Sequence, residues 1–241
     1  MPRFFYPAEL AIGATVNLPE PVAHHCQVLR LTIGDPIVLF NGAGGSFVAC
    51  LCAIEKRKVL AEVKTFNSDE VELPYALTLA QALPEASKMD WIIEKAIELG
   101  AAGIQPLTAQ RCVTRLTVER AEKRRTHWQA IIASASEQCG RNRLAQLGPI
   151  SDFQPWIRQQ DLHKRIILSP YADQSLADWA HHHPSQALTL MIGPEGGFTD
   201  QECQLGIAHG AIPLSMGPRV LRTETAGLAA ISTINAHWGA M

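Results

Sequence analysis

Two glycine-containing segments of the sequence could bring bare backbone to a ligand. The first, Gly193-Pro194-Glu195-Gly196-Gly197, follows the apolar run LTLMI, and the second, GPRVLRTETA at 217–226, follows the run AIPLSM. Ligands of parallel sheets bind at the carboxyl ends of the strands, and glycine there lets the backbone touch a ligand or adopt a positive φ. Exposed N–H and C=O groups of this kind could recognise a planar polar molecule such as adenine.

Familiar phosphate-binding patterns are missing from both segments. Neither continues with Lys-Ser or Lys-Thr, as a P-loop would, and no Gly-x-Gly-x-x-Gly follows the first strand of the α/β region. The first segment has no cation and a single carboxylate, Glu195, so it suits a cationic or neutral ligand better than a triphosphate. The glycines alone leave a second interpretation open, in which both segments are tight strand-to-helix turns without a ligand.

Basic residues are concentrated in one part of the chain. The segment 111–143 has eight bases and three acids, so it carries +5, whereas the rest of the chain carries −7. Such a segment indicates either a polyanion site or a helix face whose charges serve solubility, and charge alone favours neither.

The periodicity of apolar residues changes near Pro74. Up to about Asn67 the sequence predicts short strands, typical of a small barrel or sandwich, and NSDEVELP predicts a linker. Beyond it, strands such as ALTLAQAL, RIILS and LTLMIG alternate with helices such as SKMDWIIEKAIELG and TETAGLAAISTINAHW. This alternation predicts a parallel sheet covered on both faces. We therefore expect an α/β protein with two domains, at 1–70 and 75–241.

Composition narrows the class of protein further. Hydrophobic residues make up 47% of the chain, enough for a packed core. No apolar run approaches the roughly 20 residues of a membrane helix, and the N-terminus does not resemble a secretory signal, so we expect a soluble cytoplasmic protein. The six cysteines are scattered and His181-His182-His183 favours a solvated helix end, so no metal site is expected.

Longer motifs resemble a known family. MIGPEGGFTDQE together with LSMGPRVLRTETAGLAAI resembles the paired signatures of the SPOUT class of methyltransferases. The full pattern resembles the RsmE family, which methylates N3 of a uridine in 16S ribosomal RNA. Four weaker matches extend the resemblance along the chain: PRFFY, HHCQVLRLTIGDPIVLFNG, KMDWIIEKAIELG and SEQCGRNR.

The resemblance implies a specific architecture and partners. The N-terminal domain would be a small PUA-like RNA-binding β-barrel, and the C-terminal domain a SPOUT α/β domain with a parallel sheet and a deep trefoil knot. S-adenosyl-L-methionine would be the cofactor, bound in the knot. The protein would be a homodimer that acts on 16S ribosomal RNA or the 30S subunit, near the decoding region.

The resemblance also implies roles for individual residues. Arg222 would stabilise negative charge on the uracil, and Glu224 would accept its proton or orient Arg222; alternatively, the two residues cap the last helix and pair across the dimer. The cofactor contacts would be Leu168, Ile192, Gly193, Glu195, Gly196, Met216, Gly217, Leu221, Thr225 and Ala226. The RNA contacts would be Arg3, Arg30, Lys88, Lys95, Arg111, Arg141 and Arg143.

Two other functions stay open at this stage. One is a SPOUT methyltransferase that acts on transfer RNA or on a ribose 2′-hydroxyl. The other is a non-catalytic RNA-binding or ribosome-assembly module.

Overall fold

The computed structural model describes residues 1–55, 58–85, 87–114 and 116–240. The chain forms two compact units. Unit 1 comprises Met1–Glu72 and Ala133–Leu144, and unit 2 comprises Leu73–Ile132 and Ala145–Met241. The segment 133–144 therefore packs with the N-terminal residues, although it lies inside the stretch that the sequence assigns to the second domain. The domain limits 1–70 and 75–241 stay predictions.

Unit 1 is built on a five-stranded mixed sheet. Its elements are β1 (Arg3–Phe5), β2 (Thr15–Asn17), α1 (Glu20–Val28), β3 (Pro36–Phe40), β4 (Ser46–Ile54) and β5 (Val59–Asn67). The strand order is β1-β3-β4-β5-β2, with β1 parallel to β3 and the other pairs antiparallel. Buried side chains such as Phe4, Leu39 and Leu51 form the core beneath it.

Helix α1 lies where the sequence predicts only short strands, and that expectation was wrong. Val22, Ala23 and Cys26 are buried along one face of the helix. The helix has only nine residues, and its His, Cys and Val residues have modest helix propensity. Its period is therefore hard to recognise between β-rich runs, and tertiary packing decides its structure.

Unit 2 contains the parallel sheet that the sequence predicts. Its strands are β6 (Leu77–Ala82), β7 (Gly103–Thr108), β8 (Gln146–Leu147), β9 (Ser151–Asp152), β10 (Lys164–Leu168), β11 (Leu188–Ile192) and β12 (Ile212–Leu214). The order is β12-β10-β11-β6-β7-β8, with β9 also pairing to β7, and every pair is parallel. The carboxyl ends of β10, β11, β12 and β6 therefore lie at one edge of the sheet.

Helices connect these strands. They are α2 (Lys88–Glu98), α3 (Val118–Cys139), α4 (Phe153–Ile157), α5 (Leu176–His182), α6 (Asp200–Ala208) and α7 (Thr223–His237). The sequence predicts all of them except α4. Among the residues that the structure describes, no helix combines the length and the apolar character that crossing a membrane requires.

Helix α7 packs closely on the centre of the sheet. A β-carbon at Gly227 would lie 3.2 Å from Leu79 Cδ1, so glycine permits the close approach. Further along, the Tyr75 hydroxyl donates a hydrogen bond of 2.6 Å to Asn235 Oδ1, and burial raises the pKa of Tyr75 to about 12. These contacts hold α7 against β6 along much of its length. The trefoil knot stays a prediction.

Candidate functional site

The first loop, residues 193–198, folds tightly back on itself after β11. A β-carbon at Gly193 would lie 2.7 Å from the backbone nitrogen of Phe198 and 2.9 Å from the backbone of Gly197. Any larger residue at 193 would therefore force the backbone to move. Beyond the loop, Thr199 and Glu202 form a capping box that starts α6, so local sequence fixes the point at which the loop ends.

Glu195 connects the first loop to the segment that follows β6. Its Oε1 accepts hydrogen bonds from Lys88 Nζ at 2.6 Å and from the backbone N–H of Glu85 at 3.0 Å. Burial raises the pKa of the Glu195 carboxyl, but these two hydrogen bonds outweigh burial and hold the pKa below its ordinary 4.5. The same contact raises the pKa of Lys88. The carboxylate is thus charged and paired at neutral pH.

The segment after β7 also contacts the first loop. Arg111 Nη1 donates to the carbonyl oxygen of Gly196 at 2.7 Å. Next to it, the backbone N–H of Gln110 donates to Oε1 of the buried Glu202 at 2.8 Å. The Arg111 side chain therefore holds this part of the loop, and Glu202 joins the segment after β7 to the start of α6.

The second loop, residues 216–222, joins β12 to α7 and is much more exposed. Gly217 has φ +87°, and a β-carbon there would meet no heavy atom within 4 Å. Val220 is 79% exposed and the Arg222 side chain 84% exposed. Open space and exposed side chains at this edge of the sheet leave room for a ligand and for a larger substrate.

A buried polar chain joins the two loops. Gln81 Nε2 donates to Thr223 Oγ1 at 2.9 Å, and the Thr223 hydroxyl donates to the carbonyl oxygen of Gly193 at 2.6 Å. Gln81 is 0% exposed and also donates to the Ala82 carbonyl. Sequence analysis did not single out Gln81. The signal that could have found it is a lone amide in the apolar run ALTLAQAL.

Arg222 and Glu224 lie at the start of α7. Arg222 occupies the N-cap position of the helix, and its side chain makes no capping hydrogen bond. Arg222 Nη1 lies 4.0 Å from Glu224 Oε1, and the other carboxylate oxygen of Glu224 is buried with no hydrogen-bond partner among the described residues. This pair combines an exposed cation with an acceptor that has spare capacity.

Comparisons with known proteins agree with this geometry. A family model described as an RNA methyltransferase domain matches residues 71–235, and one described as an RNA methyltransferase PUA domain matches residues 18–64. Ribosomal RNA small subunit methyltransferase E of Bacillus subtilis is 33% identical, covering 90% of this chain and 87% of its own length. The protein of the same name from Synechocystis is 34% identical, covering 97% of this chain and 77% of its own length.

The chain belongs to the ribosomal RNA small subunit methyltransferase E family. A solved member from Neisseria gonorrhoeae, bound to S-adenosyl methionine, superposes with a TM-score of 0.92 at 38% identity and covers 99% of this chain and 98% of its own. A Legionella pneumophila protein in complex with the same cofactor gives a TM-score of 0.91 at 36% identity, covering 97% and 96%. The predicted family and fold class are confirmed.

The cofactor residues expected for this methyltransferase family lie at one edge of the unit 2 sheet. Leu168 and Ile192 are the last residues of β10 and β11, and Thr225 and Ala226 lie in the first turn of α7. The remaining six belong to the first or second loop: Gly193, Glu195, Gly196, Met216, Gly217 and Leu221. The direct contacts of these ten residues with a cofactor stay a prediction.

Two arginines that are expected to contact RNA form bonds within unit 1. Arg141 forms a two-pronged ion pair with Glu72, at 3.1 and 2.6 Å, and its side chain is only 4% exposed. Arg3 donates to the Arg141 carbonyl at 3.1 Å and to Asn142 Oδ1 at 2.7 Å, and lies over the ring of Phe40. Both guanidinium groups are thus engaged within unit 1, and their contacts with RNA stay a prediction.

The other expected RNA contacts of the family are differently placed. Arg30 is exposed just after the end of α1 and has φ +56°, a conformation for which helices usually place glycine. A large cation kept in this strained conformation favours a functional role for its side chain. Arg143 pairs with Glu70 at 3.4 Å and stays half exposed. Lys95 pairs with Glu94 and Glu98 on its own helix. Arg30 and Arg143 fit a phosphate contact best.

Histidine and cysteine side chains do not form an evident metal centre. Within the described ranges, no group of three or more His, Cys, Asp or Glu residues could hold a metal ion. His181 and His182 are exposed at the end of α5, and the His183 ring stacks on Trp179 with centroids 4.5 Å apart.

Proposed function

We propose that this chain transfers a methyl group from S-adenosyl-L-methionine to N3 of a uridine in 16S ribosomal RNA, near the decoding region of the small subunit. The observation that carries the proposal is the likeness to the Neisseria gonorrhoeae methyltransferase E bound to S-adenosyl methionine, over 99% of this chain. The names of the relatives supply the ribosomal RNA of the small subunit as substrate. The choice of N3 of a uridine rests on the RsmE resemblance.

The residues at the sheet edge fit this cofactor. Gly197 and Gly217 have positive φ and open space where a β-carbon would lie, so bare backbone is available to an adenine or a methionine group. The first and second loops would hold the cofactor between them, with Ile192 and Leu168 at the base.

Methyl transfer requires a prepared nucleophile. S-adenosylmethionine, when bound, supplies a methyl group that is already electrophilic because it is attached to a sulfonium. Uracil N3 carries a proton and lies on the pairing edge, so the chain must receive an unpaired base and remove that proton. The task of the protein is therefore alignment and proton transfer.

Arg222 and Glu224 can perform these two tasks. The exposed guanidinium of Arg222 is available to the uracil oxygens, where negative charge develops as the N3 proton leaves. Glu224 takes the proton through its partnerless oxygen or orients Arg222, from which it lies 4.0 Å away. Arg30 and Arg143 would bind phosphates and supply affinity that depends on salt.

The same proposal includes a cytoplasmic homodimer. Cytoplasmic localisation follows from a ribosomal substrate, and the small residues of α7 permit close packing of a second copy. Light scattering at micromolar concentration checks the dimer, and a monomer mass would contradict it.

Methyl transfer to purified small subunits tests the function. Subunits from a strain that lacks this protein should accept label from S-adenosylmethionine, and digestion of their 16S RNA should give 3-methyluridine. Subunits from the parent strain are the matched control, because their target is already methylated. Label that enters purified transfer RNA in a parallel reaction, or a ribose of the 16S RNA, would favour a different SPOUT methyltransferase. Calorimetry without heat from S-adenosylmethionine would favour a non-catalytic module.

A further inference from the structure

Lys88 and Arg111, both predicted to contact RNA, are bonded to the first loop instead. Lys88 and Lys95 lie two turns apart on α2, and their spacing suggests equivalent roles. Their partners differ: Lys88 Nζ pairs with Glu195 in the loop at 2.6 Å, whereas Lys95 pairs with Glu94 and Glu98 on its own helix. Only Lys88 therefore joins α2 to the loop.

Arg111 contacts the same loop through both its guanidinium group and the aliphatic part of its side chain. Its Nη1 donates to the Gly196 carbonyl at 2.7 Å. A β-carbon at Gly196 would lie 3.3 Å from Cβ and Cδ of Arg111, so the aliphatic part of the side chain runs along the loop backbone. A guanidinium already bonded to a carbonyl is poorly placed for a phosphate.

The loop requires such external contacts. Three of its six residues are Gly193, Gly196 and Gly197, and glycine loses more conformational freedom on ordering than any other residue. Fixing each backbone residue in one conformation costs conformational entropy. Lys88 and Arg111 bond to the consecutive loop residues 195 and 196. These bonds restrict the conformations that the loop can adopt before the cofactor binds.

We propose that Lys88 and Arg111 are positioning residues for the cofactor: they hold the first loop in its binding conformation and set the affinity for S-adenosylmethionine, not for RNA. The inference rests on the proposed function, because it assumes that this loop receives the cofactor. When only a fraction of the molecules has the loop in its binding conformation, the apparent dissociation constant for the cofactor equals the intrinsic constant divided by that fraction. Each cation therefore acts on the cofactor through the loop.

Calorimetric titration with S-adenosylmethionine in the absence of RNA tests the inference. Arg111→Ala should weaken cofactor binding about 10-fold, because it removes a charged hydrogen bond to backbone. Lys88→Met should weaken it about 3-fold, because that ion pair is partly solvated. Lys95→Met is the matched control and should bind the cofactor as the parent does. Arg111→Lys should recover part of the loss, since an ammonium can still donate one hydrogen bond to the carbonyl.

Two further readouts separate positioning from other roles. In steady-state assays Arg111→Ala should raise KM for S-adenosylmethionine and leave kcat nearly unchanged. RNA affinity at saturating cofactor should keep the parent's dependence on salt in both Arg111→Ala and Lys88→Met. Amide hydrogen exchange without cofactor should become faster at residues 195–198 and stay unchanged in β6.

Any one of the following results would overturn the inference. One is a parent-like cofactor affinity in both variants together with a log–log salt slope for RNA that is smaller by about 0.7–0.9 per variant, which would make the cations phosphate contacts. Another is exchange that becomes faster throughout unit 2, which would make the contacts merely structural. A parent protein that gives no heat with S-adenosylmethionine would overturn the proposed function as well, whereas variants that match a binding parent would overturn this inference alone.

Discussion

The two glycine loops of unit 2 lie at the same edge of one sheet but are held in different ways. The first, residues 193–198, is bonded through Glu195 and Gly196 to segments that follow β6 and β7. The second, residues 216–222, is attached near its ends, where Ser215 bonds to the Gln174 carbonyl and Thr223 bonds to Gly193, while Val220 and Arg222 between them are exposed.

The difference suggests a division of labour. A loop whose conformation is fixed by its surroundings is suited to bind a cofactor, because little ordering is left to do when the ligand arrives. A loop that presents exposed side chains is suited to meet a large substrate that arrives separately. Two glycine-containing loops at one edge of a sheet can therefore serve different steps, depending on the segments that lie beside them.

The largest effect is expected from the second loop. Arg222→Ala should lower the single-turnover rate of methyl transfer about 10²-fold or more, as for the loss of one charge-stabilising donor. Cofactor and RNA affinity should stay close to those of the parent. Arg219→Ala, in the same exposed loop, is the control and should react at the parent rate. If Arg222→Ala also reacts at the parent rate, Arg222 stabilises the loop or a dimer contact and does not stabilise the transition state.

A β-carbon in the first loop should damage cofactor binding next most. Gly193→Ala would place an atom 2.7 Å from the Phe198 nitrogen, so the loop must shift. Overpacking of this kind costs about 1–3 kcal/mol. Because the loop must return to the crowded conformation to bind the cofactor, the affinity for S-adenosylmethionine should fall roughly 5- to 150-fold, as measured by calorimetry. Gly206→Ala in α6 is the control, because its new atom would meet neighbours only at 3.5 Å and beyond. Equal binding by Gly193→Ala would show that the loop is adaptable.

Substitutions of Gly217 in the second loop can separate the effect of backbone conformation on cofactor binding from the effect of filling the space beside this residue. A left-handed conformation costs a residue with a β-carbon about 1–2 kcal/mol, and asparagine tolerates that conformation better than alanine. Gly217→Ala and Gly217→Asn should both weaken cofactor binding about 5-fold, since the open space beside Gly217 is where we expect the ligand. Parent-like binding by Gly217→Asn would mean that only the backbone conformation matters there.

The smallest effect concerns the pH dependence of the contact at Glu195. The pKa of this carboxyl is held below 4.5, so its stabilising contribution is present above that pH and is lost as the pH falls through the folded pKa. Glu195→Gln should melt about 1 °C below the parent at pH 7, because the ion pair is partly exposed. The difference should stay constant down to about pH 4.5 and shrink below it. A difference that vanishes already at pH 6 would contradict this assignment.

Most of the unit 2 fold could be predicted from the sequence. Long apolar runs identify β6, β10 and β11, and clear helical spacing with terminal signals identifies α2, α6 and α7. These elements are specified by residues close together in the chain. Helix α1 was missed because its packing against distant strands, rather than its own propensity, decides its structure.

The site could be predicted only in part, because a cation's role depends on its partner. Glycine position and motif resemblance identified both loops, but spacing could not distinguish a lysine that meets phosphate from one that meets a carboxylate 107 residues away, as Lys88 does with Glu195. The same limit hid the burial of Arg141 against Glu72. Gln81 was missed for a related reason, since its partner Thr223 lies 142 residues later.

The discontinuity of unit 1 has a consequence for synthesis on the ribosome. Glu72 needs Arg141, the backbone N–H of Phe5 bonds to Glu137, and the Asp69 carbonyl bonds to Asn142. At translation rates of about 5–20 residues per second, these partners are made roughly 3–14 s after Glu72. During that interval the N-terminal sheet lacks the partners of the Glu72 carboxylate and of the Phe5 backbone N–H. Unit 1 can therefore be completed only after the ribosome has synthesised the chain through α3.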